Sequence, residues 1–257
     1  MTGTPHHGLP EPGWQQPAAK TLREIAARDP RIRDLRVHGS ASADGSDVDL
    51  WSDLDLVLTT DHHPAQVAKE FAGSALSRLG PLFTASREAT ANGYGLRLVL
   101  VDLRRIDVTV LANSNSRDPG AAAPAADPLA ELVEAFRFDG VLAAVKAARG
   151  DVLIGSHLAL QLARHLLVAA MILRDRQSGT THHRHGGTVW DTWAERLAAA
   201  PIPYTRAGIS AAIRFHNEQL DRLLAEQAPH LAGGNQPLHI LLDAVDAHAP
   251  VRPQGPV

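Results

Sequence analysis

Ser52-Asp53-Leu54-Asp55-Leu56-Val57-Leu58 alternates acidic with apolar side chains. Successive side chains of an extended chain point to opposite faces, so Asp53 and Asp55 share one face while Leu54 and Leu56 share the other. The stretch reads as a strand with one side against a core and the other carrying paired carboxylates. Toward the N-terminus, Leu35-Arg36-Val37 is a second short strand candidate that runs directly into His38-Gly39-Ser40, and a loop rich in Asp, Ser and Gly separates the two strands. Toward the C-terminus, Pro64 to Leu79 has a helical pattern. Gly95 to Leu111 reads as two strands joined by a turn near Leu103 to Arg105. In the second arm Ile106, Val108 and Val110 fall on an apolar face, with Asp107 and Thr109 opposite.

The pattern changes beyond this region. Asn113 to Pro128 is an Ala, Pro, Asp and Ser segment with turn formers and no hydrophobic period. Beyond it the chain reads as helices over 129–136, 140–148, 152–175, 189–199, 204–225 and 237–247, with breaks at Gly150, Gly179, Gly186-Gly187 and Pro201 to Pro203. The expected architecture is α+β, a small mixed-sheet domain followed by an all-helical bundle. Its parts are an irregular, mobile segment over 1–17, the sheet domain over 18–114, a linker over 115–128 and the helical domain over 129–257.

Composition narrows the function. With 257 residues and 44% apolar content, the chain is long enough to bury a sizeable core. It has no cysteine, which excludes disulfides, thiolate metal sites and a cysteine nucleophile and suits a reducing cytoplasm. Met1 to Trp14 has neither a signal-peptide nor a transit-peptide pattern, so a cytoplasmic location is expected. The apolar stretch Val152 to Leu173 is interrupted by His157, Gln161, Arg164 and His165, which points to a buried core helix with a polar stripe on its solvent face and no membrane partner. A net charge of −3 gives no footprint for long nucleic acid.

The chemistry sits with the carboxylates. Gly39 lacks a Cβ and lets the main chain approach a phosphate, and Ser40 offers a hydroxyl and a backbone N–H. Asp53 and Asp55 repel each other unless a cation lies between them, and Mg²⁺ with oxygen ligands is the obvious candidate. If the Asp107 strand neighbours theirs, three carboxylates converge. Such a triad holds two divalent ions roughly 4 Å apart, one activating an attacking hydroxyl and one bridging a triphosphate whose pyrophosphate is displaced in line. Asp44, Asp47 and Asp49 are read as loop residues. Glu88 has no geometric argument to place it near the triad.

Gly39-Ser40, a polar gap, Asp53-Leu54-Asp55 and a later strand acid at Asp107 resemble the signature of nucleotidyltransferases that share the catalytic fold of DNA polymerase β. The resemblance covers roughly residues 30 to 112. The helical second half is similar to the small-molecule branch, which adenylylates aminoglycoside or lincosamide antibiotics and so confers resistance. The resemblance implies that Gly39 and Ser40 hold the β- and γ-phosphates, that Asp53 and Asp55 bind two Mg²⁺ ions, and that Asp107 is a ligand or the general base. It implies transfer of a nucleoside monophosphate, AMP from ATP or another nucleoside triphosphate, to a small-molecule hydroxyl. The alternatives are a protein or nucleic-acid end as acceptor, or a non-catalytic antitoxin-like module of the same fold. His182, His183 and His185 are expected in a solvated loop, and Trp190 and Trp193 in packing.

Overall fold

The computed structural model describes residues 8–39, 48–61, 63–90, 92–113, 127–179 and 188–248. The chain divides into two compact units, Met1–Ala125 and Ala126–Val257. The first holds α1 (Gln15–Ala26), β1 (Ile32–His38), β2 (Leu54–Thr60), α2 (Pro64–Leu79), β3 (Leu82–Thr90), β4 (Gly93–Leu100) and β5 (Arg105–Ala112). The second holds α3 (Pro128–Ala148), α4 (Val152–Ser178), α5 (Val189–Glu195), α6 (Arg206–Gln227) and α7 (Gln236–Ala247). The fold is α+β, with a mixed five-stranded sheet preceding the helices.

The sheet runs β1-β2-β5-β4-β3, with β2 and β5 parallel and every other pair antiparallel. Its apolar face carries Leu54, Leu56 and Leu58 of β2, Ile106, Val108 and Val110 of β5, and Leu96, Leu98 and Leu100 of β4, all buried. Leu22 of α1 and Val67, Ala68 and Phe71 of α2 complete one core with them. Each such leucine contributes about 1.5–3 kcal/mol on leaving water. Covering this face leaves the opposite face, with Asp55 and Asp107, as the polar side of the sheet.

Three expectations change in the first unit. Helix α1 begins inside the segment read as irregular, because Gln15 is buried and its Nε2 donates to the Ser52 carbonyl at 3.1 Å. Leu82–Thr90 is an edge strand that the sequence reading left unassigned. Its last four residues, Arg87 to Thr90, are all exposed and give no apolar alternation. The third change follows from it, since the expected β4–β5 hairpin is the inner part of a three-stranded meander.

In the second unit α3 runs unbroken through Gly140, where two helices were expected. A Cβ at Gly140 would meet Leu238 Cδ2 at 3.2 Å, so this glycine lets α7 approach and does not end a helix. Asp127, expected in the linker, caps α3 by accepting the Leu129 N–H, while 114–126 lie outside the described residues. Helix α4 has the length and apolar content to cross a bilayer. It buries Ala159, Leu162, Leu166, Ala169 and Leu173, yet Leu153, Leu160, Leu167 and Met171 are exposed beside His157 and Arg164. The expected polar solvent stripe is therefore only half right. His165 turns inward instead, 2.8 Å from the Asp139 carboxylate on α3. Trp193 is buried and meets Trp190 edge to face at 6.4 Å, which is a packing role. His182, His183 and His185 lie outside the described residues.

Candidate active site

The turn that leaves β1 sets the first constraint. Gly39 has φ +68°, a conformation that side-chain-bearing residues avoid. A Cβ built there would collide with the Asp55 carboxylate. The register explains the contact: His38 pairs with Asp55 across β1 and β2, so the carboxylate lies beneath the turn. Ser40, the expected second phosphate ligand, lies outside the described residues, as do Asp44 and Asp47.

Asp53 stands just ahead of β2, and its approach is pinned from three sides. Asp49 closes a turn, accepting from the Trp51 N–H at 3.0 Å and from Ser52 Oγ at 2.7 Å. Its carboxylate is thus committed to the loop. The Ser52 carbonyl is held by Gln15 of α1, and the Trp51 carbonyl accepts from the buried Arg105 guanidinium at the start of β5. Arg105 lies two residues before Asp107 and Trp51 two before Asp53, so this one bond aligns both acid-bearing segments.

Parallel pairing then brings the third acid in. Asp55 and Asp107 are direct register partners across β2 and β5. Oxygens of Asp53, Asp55 and Asp107 all lie within 4.8 Å of one another, and each residue is half-buried. Burial and a neighbouring negative charge both disfavour an ionised carboxylate. Burial first, and then the charge of Asp53, push Asp107 up to about 6. The same causes in the same order raise Asp55. Arg97 and Arg105 oppose both shifts, and His38 opposes that of Asp55. Arg97 reaches over from β4, its Nε 3.4 Å from Asp107 Oδ2.

An all-oxygen set carrying more negative charge than its neighbours offset fits a hard divalent cation such as Mg²⁺. Asp53, Asp55 and Asp107 are the residues that would hold it. Arg97 and Arg105 escaped the sequence reading, although both had a signal. Each is a cationic residue whose strand parity places it on the acid-bearing side, Arg97 between Leu96 and Leu98 and Arg105 two before Asp107. Gln15 had none, since its contact joins segments far apart in sequence.

No protein-family model matches the chain, and no match is found among curated proteins. Among solved structures, an aminoglycoside 6-adenyltransferase from Bacillus subtilis aligns with 91% of this chain and 99% of its own length, at 10% identity and a TM-score of 0.29.

Proposed function

We propose that the chain is a Mg²⁺-dependent nucleotidyltransferase that moves a nucleoside monophosphate, AMP from ATP, to a hydroxyl of a small molecule such as an aminoglycoside or lincosamide. The observation that carries this reading is the parallel β2–β5 register, which opposes Asp55 to Asp107 and gathers them with Asp53 beneath the Gly39 turn.

Bound Mg²⁺ would offset the carboxylate and triphosphate charge and make the attacking hydroxyl more acidic. The chain's own residues do the rest. The Gly39 turn brings backbone within reach of the β- and γ-phosphates, with Ser40 as their further ligand. The acceptor oxygen bonds to the α-phosphorus as the bond from phosphorus to the bridging oxygen of the β-phosphate breaks. Pyrophosphate leaves, and the hydroxyl proton passes to a carboxylate. Asp107, brought opposite Asp55 from the neighbouring strand, is the carboxylate assigned that role.

The test is Mg²⁺-dependent pyrophosphate release from ATP with a panel of aminoglycosides and lincosamides. Asp53→Ala and Asp55→Ala are expected to abolish it, and undiminished activity in either overturns the reading. Labelled ATP that transfers its label to a macromolecule in extract, with none on the small molecules, would replace the acceptor class with a protein or nucleic-acid end.

A further inference from the structure

Glycine inside a strand costs stability, and it persists there where a bulge, a bend or a closely approaching ligand requires it. Gly95 lies in β4, an interior strand. The fold gives it no such reason: its φ is not in the left-handed region, and a Cβ there would meet only Glu88, the carbonyl oxygen at 3.6 Å and Cβ at 3.9 Å. Both are ordinary contacts. The fold would accept a larger residue at this position.

The register says which surface Gly95 opens. Arg97 pairs with Asp107, and two residues along the same face Gly95 pairs with Thr109 on β5 and Glu88 on β3. The polar side of the sheet thus has a strip without side chains over β4. It starts beside Asp107 and Arg97, with exposed Thr109 along one edge and exposed Glu88 along the other. Glu88 has no partner among the described residues, whereas Arg97 is already paired with Asp107. Two strand spacings and two residues put Glu88 about 12 Å from Asp107 along the sheet.

In-line displacement gives this strip a direction. With the leaving pyrophosphate held at the Gly39 end, on the β1–β2 side, the attacking oxygen enters from the opposite side of the α-phosphorus, over β5 and β4. We infer that the Gly95 strip is the acceptor trough and that Glu88 is a specificity residue, binding an ammonium group of a cationic polyol remote from its reacting hydroxyl. The inference rests on the nucleotidyltransferase reading and adds to it the side of entry and the charge of the acceptor.

Two variants test it, with kanamycin A and streptomycin as probes. Glu88→Gln is expected to raise the acceptor KM about tenfold at low salt, with kcat and the KM for ATP within about twofold of the parent. Gly95→Leu fills the trough and is expected to weaken acceptor binding by about tenfold or more while the thermal midpoint holds or rises. Calorimetric titration of each probe, with Mg²⁺ and a non-hydrolysable ATP analogue present, reads binding directly. Both variants should keep parental affinity for the analogue. Parental acceptor affinity in both variants, or no binding of either probe to the parent, overturns the trough. If Asp53→Ala still abolishes turnover in that case, the nucleotidyltransferase reading survives alone. A parent that releases no pyrophosphate with any acceptor overturns both.

Discussion

Gly39 answers two demands at one position. Its backbone is left-handed, and the space a Cβ would fill is taken by the Asp55 carboxylate. Gly39→Ala is therefore expected to cost about 1–3 kcal/mol and to displace Asp55. Urea unfolding and Mg²⁺ titration of the variant check both effects, and parental values in both would refute the account. Asp107 makes the opposite kind of demand. Its carboxyl, raised to about 6, takes up a proton in the folded chain before it does in the unfolded one. Between roughly pH 4 and 6 the native state holds the extra proton, so stability falls as pH rises through that window, and the full penalty is present above it. Asp107→Asn should accordingly stabilise the metal-free protein by about 1–2 kcal/mol at pH 7.5 and leave it unchanged at pH 4. Denaturant titration at the two pH values decides it. At this scale the sequence was informative. Parity along two short strands put Asp53 with Asp55 and turned Asp107 the same way, and Asp49 was rightly set aside as a loop residue. What parity could not supply was the neighbour across the sheet, which is why Arg97 and Glu88 had no assigned place.

Among the elements, β5 carries more than its acid. Through Arg105 it holds the carbonyl of Trp51 and with it the segment that presents Asp53. Arg105→Met keeps apolar bulk but leaves a buried carbonyl without this donor, a loss of about 1–3 kcal/mol. Mg²⁺ affinity should fall as well, because the segment that presents Asp53 loses the bond that holds it. A thermal melt paired with metal titration checks the prediction, and an unchanged affinity would show that Asp53 is positioned without the clamp. The limits of sequence reading are also physical at this scale. Edge strand β3 carries exposed polar residues over its second half, so no period marks it. Gly140 looks like a helix stop because a glycine that permits close packing and one that ends a helix are the same letter. His165 was placed with the solvent-facing stripe of α4, since the partner that draws it inward, Asp139, sits on another helix.

Over the whole molecule, the two units respond differently to acid. In the sheet unit, lowering the pH relieves the repulsion at Asp55 and Asp107. In the helical unit His216 is 4% exposed, and burial pushes its imidazole down to about 4. A histidine held neutral in the folded state stabilises fully above its unfolded value near 6.5 and progressively less as pH falls toward 4. The helical unit should lose on the order of 2–3 kcal/mol across that window, and His216→Leu should flatten the loss. Circular dichroism melts from pH 7 to pH 4 compare the slopes, and equal slopes would exclude His216 as the cause. The α+β class and the change from sheet to helices were legible from hydrophobic period alone. Which face of each helix meets a neighbour was not, because α4 distributes leucines around its circumference and only tertiary contacts choose among them.

The parallel pairing of β2 with β5 has a consequence for how the protein comes into being. Antiparallel neighbours can zip from a tight turn, but these two strands meet only after the chain between them, α2, β3 and β4, has been laid down as a crossover. Asp55 and Asp107 therefore lie at opposite ends of that crossover, and the carboxylate cluster exists only once β5 has paired with β2. A nascent chain released before β5 emerges would carry Asp53 and Asp55 and lack the strand that brings Asp107 beside them.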